Sequence, residues 1–170
     1  MDRGPSLDTA TLRLARVVGA ACAVACVAPI VLSLAFPQAF FFAPYHRTYE
    51  RMLGAVLLSL GLGLLLALRD PARNAGVYAI VGLATSFLAG ATAYALVVDD
   101  ADPLHWWAQV PLLAGVSVAL VATYTRLRRP HPLVVRIVIA AVVLLPGALF
   151  PLRHGLPRVR RALTVRVPIR

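Results

Sequence analysis

Long apolar runs alternate with short polar connections along this chain, and run length sets the first expectation. A transmembrane helix needs about 20 mostly apolar residues, within a range of about 17–25. Four runs qualify: residues 17–36, 52–68, 77–98 and about 104–124. None carries Asp, Glu, Lys, Arg or His in its interior, and His105 stands at the mouth of the fourth. The pattern predicts an all-α fold, a transmembrane helical bundle of four spans plus a fifth hydrophobic segment, "LVVRIVIAAVVLLPGALFPL" (133–152). The organisation that follows is a cytoplasmic N-terminal segment over 1–16, the four-helix bundle over 17–124, and a basic C-terminal region over 125–170.

Helix punctuation agrees with these limits. Asp70-Pro71 and Asp102-Pro103 each supply an N-cap followed by a proline suited to the first helical position. Phe36 closes the first span, because the residue before a proline avoids the α region. Pro29 and Pro111 fall inside the first and fourth spans, and each predicts a kink.

Charge placement sets the expected orientation. With the N-terminus inside, Arg3, Arg13, Arg16, Arg69, Arg73 and the ten arginines from Arg126 onward face the cytoplasm, against Arg47 and Arg51 outside. The third connection, "DDADPLH", carries three acids and no base. Such an asymmetry predicts a cytoplasmic N-terminus. The fifth segment has two readings. If it crosses, six tail arginines (Arg153, Arg158, Arg160, Arg161, Arg166 and Arg170) lie outside and the asymmetry vanishes. If Pro146-Gly147 breaks it, the segment dips in and returns, which requires cover from protein or water. Both readings place it in the bilayer, with Arg136 snorkelling from one end.

Composition sharpens the class. The 170 residues, room for one domain, are 60% hydrophobic and 14% charged, whereas a soluble domain is about 45–50% apolar and about 25% charged. All 17 basic residues are Arg, a bias expected of a GC-rich bacterial genome. A net charge of +10 raises nucleic-acid binding as an alternative. The arginines sit at the ends of apolar runs, however, where topology signals belong, so no nucleic-acid partner is expected. The expected partners are the lipid bilayer and its anionic headgroups, at about 1 kcal/mol per arginine near the surface, together with a membrane-protein partner or a second copy. A signal peptide is disfavoured by the length of the first run and the lack of an A-x-A-like site after it. The short apolar stretch before Cys22 and Cys26 likewise disfavours a lipoprotein.

Small residues recur every four positions within the spans: Gly19 and Ala23, Ala21 and Ala25, then Ala55, Ser59, Gly63 and Ala67, then Gly82, Ser86 and Gly90, then Gly115, Ala119 and Thr123. Helices in a bilayer associate through close packing of such residues, so each series is expected to face a neighbour. Gly63 and Gly90 are the expected points of closest approach.

The densest polar cluster is "YHRTYER" (45–51). Pro44 makes a good first helical residue. Arg51 and Arg69 are 18 residues apart, about 27 Å of helix at about 1.5 Å per residue, and thus near opposite edges of a hydrocarbon core about 30 Å thick. Phe40, Phe41, Phe42, Tyr45 and Tyr49, with Trp106 and Trp107 from another connection, suit an aromatic belt on one side. Glu50 suits a helix N-terminus, with Arg47 in reach. A sharper alternative gathers His46, Glu50, Asp99, Asp100, Asp102 and His105 as nitrogen and carboxylate ligands for a divalent metal. The spacing matches no zinc motif, and a solvated membrane border is the preferred reading. Cys22 and Cys26, four apart in a span, read as small apolar residues. No catalytic residue and no cofactor can be assigned from the residues.

The stretch "YERMLGAVLLSLGLGLLLALRDPARN" (49–74), with "FPQAFFFAP" before it, resembles small bacterial four-helix membrane proteins of the DoxX-like and BphX-like kind over at most residues 17–124. That resemblance implies a subunit near quinone-linked or thiol-linked redox chemistry. The basic fifth segment departs from it. The function expected is a small multi-pass membrane protein acting as a non-catalytic accessory or assembly partner; the rival is a quinone- or lipid-binding redox accessory subunit.

Overall fold

A computed structural model describes residues 8–36, 47–99, 101, 103–128 and 131–144. The fold is all-helical among them. Helix α1 spans Thr9–Ala35, α2 Arg47–Ala67, α3 Ala75–Val98, α4 Pro103–Trp106, α5 Gln109–Leu127 and α6 Pro132–Ile139, which continues as a π-helical turn Ala140–Leu144. Helices α1, α2, α3 and α5 are long and apolar enough to cross a membrane. Their outward faces are apolar: Leu34 is 78% exposed, Leu66 68% and Ile80 63%. So much exposed hydrocarbon, spread over every long helix, marks a surface made for lipid.

The four expected spans correspond to these four helices, with local differences. Helix α1 starts at Thr9, so Arg13 and Arg16 lie within it, both exposed. Asp70-Pro71 opens a turn rather than α3. The Asp70 Oδ1 accepts from the Arg73 N–H at 3.1 Å and the Asp70 carbonyl from the Asn74 N–H at 3.0 Å, so the turn uses these groups and Asn74 becomes the N-cap. Pro103 does start a helix, but α4 is one turn long and the fourth span begins at Gln109. Pro111 therefore lies in the first turn of α5, where its missing N–H costs no intrahelical bond, so the ground for the expected kink there is gone. Pro29 stays inside α1. The proposed helix start at Pro44 lies outside the described residues.

The fifth segment begins as expected of an apolar helix. His131 caps it by accepting from the Leu133 N–H through Nδ1 at 3.4 Å, and Pro132 follows at the first position. The described part amounts to 8 α-helical residues and a 5-residue π turn. Residues 145–152, which decide between crossing and dipping, lie outside the description.

Close approach at glycine organises the pairs. A Cβ on Gly61 would stand 2.6 Å from Val27 Cγ2, 3.2 Å from the Ala23 carbonyl and 3.4 Å from Cys26 Cβ. The contacts Gly54–Ile30, Gly61–Cys26 and Gly19–Leu68 advance along α2 as they retreat along α1, so the two helices are antiparallel. At Gly82 of α3 a Cβ would meet Val121 Cγ2 at 2.9 Å, and Ser117 Oγ donates to the Gly82 carbonyl at 2.7 Å, locking α5 on α3. Ser86 Oγ donates to the Val138 carbonyl at 3.3 Å and fastens α6 to α3. Helix α3, buried from Ala75 to Ala93, is the hub.

Several small-residue series therefore face differently from the expectation. Gly19 and Ala23 of α1, and Gly82, Ser86 and Gly90 of α3, are buried as expected. In α2, however, only Ala67 of the series is buried; Ala55 and Ser59 are exposed, a Cβ on Gly63 would meet only Val77 at 4.0 Å, and the contact residue is Gly61. In α5 Gly115 faces open space, whereas Thr123 of the same series is buried with Val116, Ser117, Leu120 and Val121. A four-residue repeat defines a face but not which neighbour it meets.

Gly61→Leu should overpack the α1–α2 seam and cost about 1–3 kcal/mol, read as a lowered unfolding midpoint in detergent micelles; Gly115→Ala should leave that midpoint unchanged or raised. Ser117→Ala should cost about 0.6 kcal/mol, the mean for interhelical hydrogen bonds in membranes, and no more than about 1.7 kcal/mol.

Candidate functional site

Burial is unequal along the bundle. At one end, where α1 begins and α2 finishes, Ala15, Cys22, Leu64, Ala67, Ala75 and Tyr78 form a continuous core with Leu120 and Leu127 of α5. Tyr78 is fully buried there, and its hydroxyl donates to the Ala15 carbonyl at 3.1 Å. Space for the ring exists because position 19 is glycine: a Cβ there would stand 2.8 Å from the Tyr78 hydroxyl. Arg16 Nε donates to the Leu68 carbonyl at 3.3 Å, a last clasp from α1 to the end of α2.

Toward the other end the helices part. No residue of α1 beyond Cys26, of α2 before Gly61 or of α5 before Val116 is buried among those described. Between them lies a cleft of about 710 Å³, within the usual size range of small-molecule sites. Its α1 wall runs from Ala25 through Pro29 and Ile30 to Leu34, and its α2 wall from Glu50 through Leu53 and Leu57 to Leu58. Leu88 and Thr92 of α3, Trp106 of α4, and Gln109, Leu112 and Leu113 of α5 complete it. At the Tyr78 end the space between the helices is filled by the buried side chains of Tyr78, Leu64 and Leu120; at the Glu50 end Ala25, Gly54 and Ala55 stand among the larger residues that line the cleft.

Polar groups collect at the mouth. Glu50 is half-buried and Arg51 exposed, both on the first turns of α2, and Gln109 faces them from the start of α5. Two hydroxyls on the walls are used internally: Ser33 Oγ donates to the Ile30 carbonyl at 2.8 Å and Thr92 Oγ1 to the Leu88 carbonyl at 2.9 Å. Their lone pairs can still accept. A second fissure, about 230 Å³ between α5 and α6, is walled mainly by Val118, Val121, Val135, Val138 and Ile139.

The sequence-derived candidates are distributed as follows. Glu50 lines the cleft, while Asp99 is exposed at the end of α3. His46, Asp100 and Asp102, and the side chain of His105, lie outside the description. Among the described residues no three His, Cys, Asp or Glu side chains come together. Cys22 and Cys26 are free thiols buried in α1, Cys26 also touching the cleft. Tyr49 and Trp107, expected in one aromatic belt, are both exposed near the cleft mouth; Phe40, Phe41, Phe42 and Tyr45 lie outside the description. The cleft itself was not legible in the sequence.

Fold and site together define an all-α membrane bundle with a lipid-compatible exterior and an apolar cleft opening at one end. Comparison with known protein families, curated proteins and solved structures finds no match to the chain.

Proposed function

We propose that the chain is a multi-pass protein of a bacterial cell membrane that works as a non-catalytic accessory component, holding a hydrophobic guest such as a lipid or quinone between its helices. The observation that carries this reading is the cleft of about 710 Å³, with leucine walls and polar groups at its mouth. An apolar cavity with a few convergent polar groups is the usual form of a ligand site. Kinship with DoxX-like proteins belongs to the same proposal and rests on the stretch around residues 36–74.

The orientation in this proposal has a cytoplasmic N-terminus. It is supported by the arginines: Arg13, Arg16, Arg69, Arg73, Arg126 and Arg128 belong to the helix ends around the Tyr78 core, and Arg51 belongs to the cleft mouth. Positive loops stay in the cytoplasm, so the cleft opens toward the outer leaflet.

The organic extract of the purified protein should contain a lipid or quinone at close to one molecule per chain. Gly54→Phe should remove it, since Gly54 lines the cleft and a Cβ there meets Ile30 only at 3.8 Å. An extract identical for both proteins would defeat the proposal. For orientation, a cysteine placed at Asp99 should react with an impermeant maleimide in intact cells, and one at Arg73 only after permeabilisation. The reverse pattern would invert the topology.

A further inference from the structure

The charged pair at the cleft mouth narrows the guest, on the reading that the cleft holds one. Glu50 and Arg51 both line it, and neither side chain is hydrogen-bonded or ion-paired to another described residue. They are consecutive on α2, and neighbours in sequence do not face each other on a helix. Among the described residues, the mouth therefore presents one carboxylate and one guanidinium without a partner. Position matters as well. Arg51 lies about 24 Å along α2 from the helix end at Ala67 at about 1.5 Å per residue, so the pair sits where headgroups meet hydrocarbon.

From this charge pattern we infer that the cleft is a site for one zwitterionic aminophospholipid, its ammonium on Glu50, its phosphate on Arg51 and one acyl tail between the leucine walls. Each rival head leaves something unpaid. An anionic phosphodiester head satisfies Arg51 but brings negative charge beside Glu50, and like charges brought together at a binding surface are costly. An uncharged head, a quinone ring included, covers both charges and pairs neither, and a charge that loses water without a partner is penalised. A zwitterion offers a charge-assisted hydrogen bond to each. Gln109, on the opposite wall, remains to donate to an ester oxygen through its side-chain amide, and Leu57 and Leu113 receive the tail.

The test is native mass spectrometry of the full chain in detergent, titrated with phosphatidylethanolamine, phosphatidylglycerol and a ubiquinone. Phosphatidylethanolamine should form a 1:1 adduct about tenfold tighter than phosphatidylglycerol, a difference of about 1.4 kcal/mol. Glu50→Gln should abolish that preference by improving phosphatidylglycerol binding, and Arg51→Gln should weaken both phospholipids. Gly54→Phe and Leu113→Phe, which plug the cleft from opposite walls, should each remove the adduct. Equal binding of the two phospholipids by the parent protein, a preference that survives Glu50→Gln, or tighter binding of the ubiquinone would overturn the lipid assignment while leaving a guest-holding cleft. If neither plug changes the binding of any probe, the guest-holding reading falls with it.

Discussion

The bundle depends on a tyrosine ring lodged where a glycine has made room. Lipid tails are as apolar as leucine, so burying leucine between helices gains little in a membrane, and cohesion falls to close packing and interhelical hydrogen bonds. Tyr78 supplies both. Its ring occupies the centre of the Tyr78 end, beside Gly19 and Leu68, and its hydroxyl ties α3 to the Ala15 carbonyl of α1. Ser86 of α3 donates to the Val138 carbonyl of α6, and Ser117 of α5 donates to the Gly82 carbonyl of α3. Two hydroxyls of α3 and one of α5 thereby join α1, α5 and α6 to a single hub.

The cleft is the counterpart of that pin. Buried Tyr78, Leu64 and Leu120 fill the space between the helices at the Tyr78 end, and the cleft opens at the Glu50 end. The same four helices are thus tight where arginines cluster and open where Glu50, Arg51 and Gln109 gather. Pro29 lies on the cleft wall, at a point where its missing N–H leaves a helix carbonyl without its usual donor.

Much of this was legible in one dimension because it depends on local periodicity and length. The four spans follow from run length, the burial of Gly19, Ala23, Gly82, Ser86 and Gly90 from their four-residue spacing, and the common end of Tyr49 and Trp107 from the alternation of spans. Misreadings arose where two local signals were equally good. Asp70-Pro71 can cap a helix or make a turn, and the Arg73 and Asn74 amides took it for a turn. Ala55, Ser59 and Gly63 form as good a stripe as any, but α1 docks on the side of α2 that carries Gly61.

The sequence by itself determined the class of molecule: lengths of uncharged apolar chain admit membrane-spanning helices and little else, since each helix satisfies its own backbone hydrogen bonds whatever its neighbours do. Which glycine meets which helix, that Tyr78 reaches Ala15 across 63 residues, and that a cleft opens beside Glu50 were settled only in three dimensions. Those features depend on the rotation and tilt of one helix against another, and no single helix carries that information in its own residues.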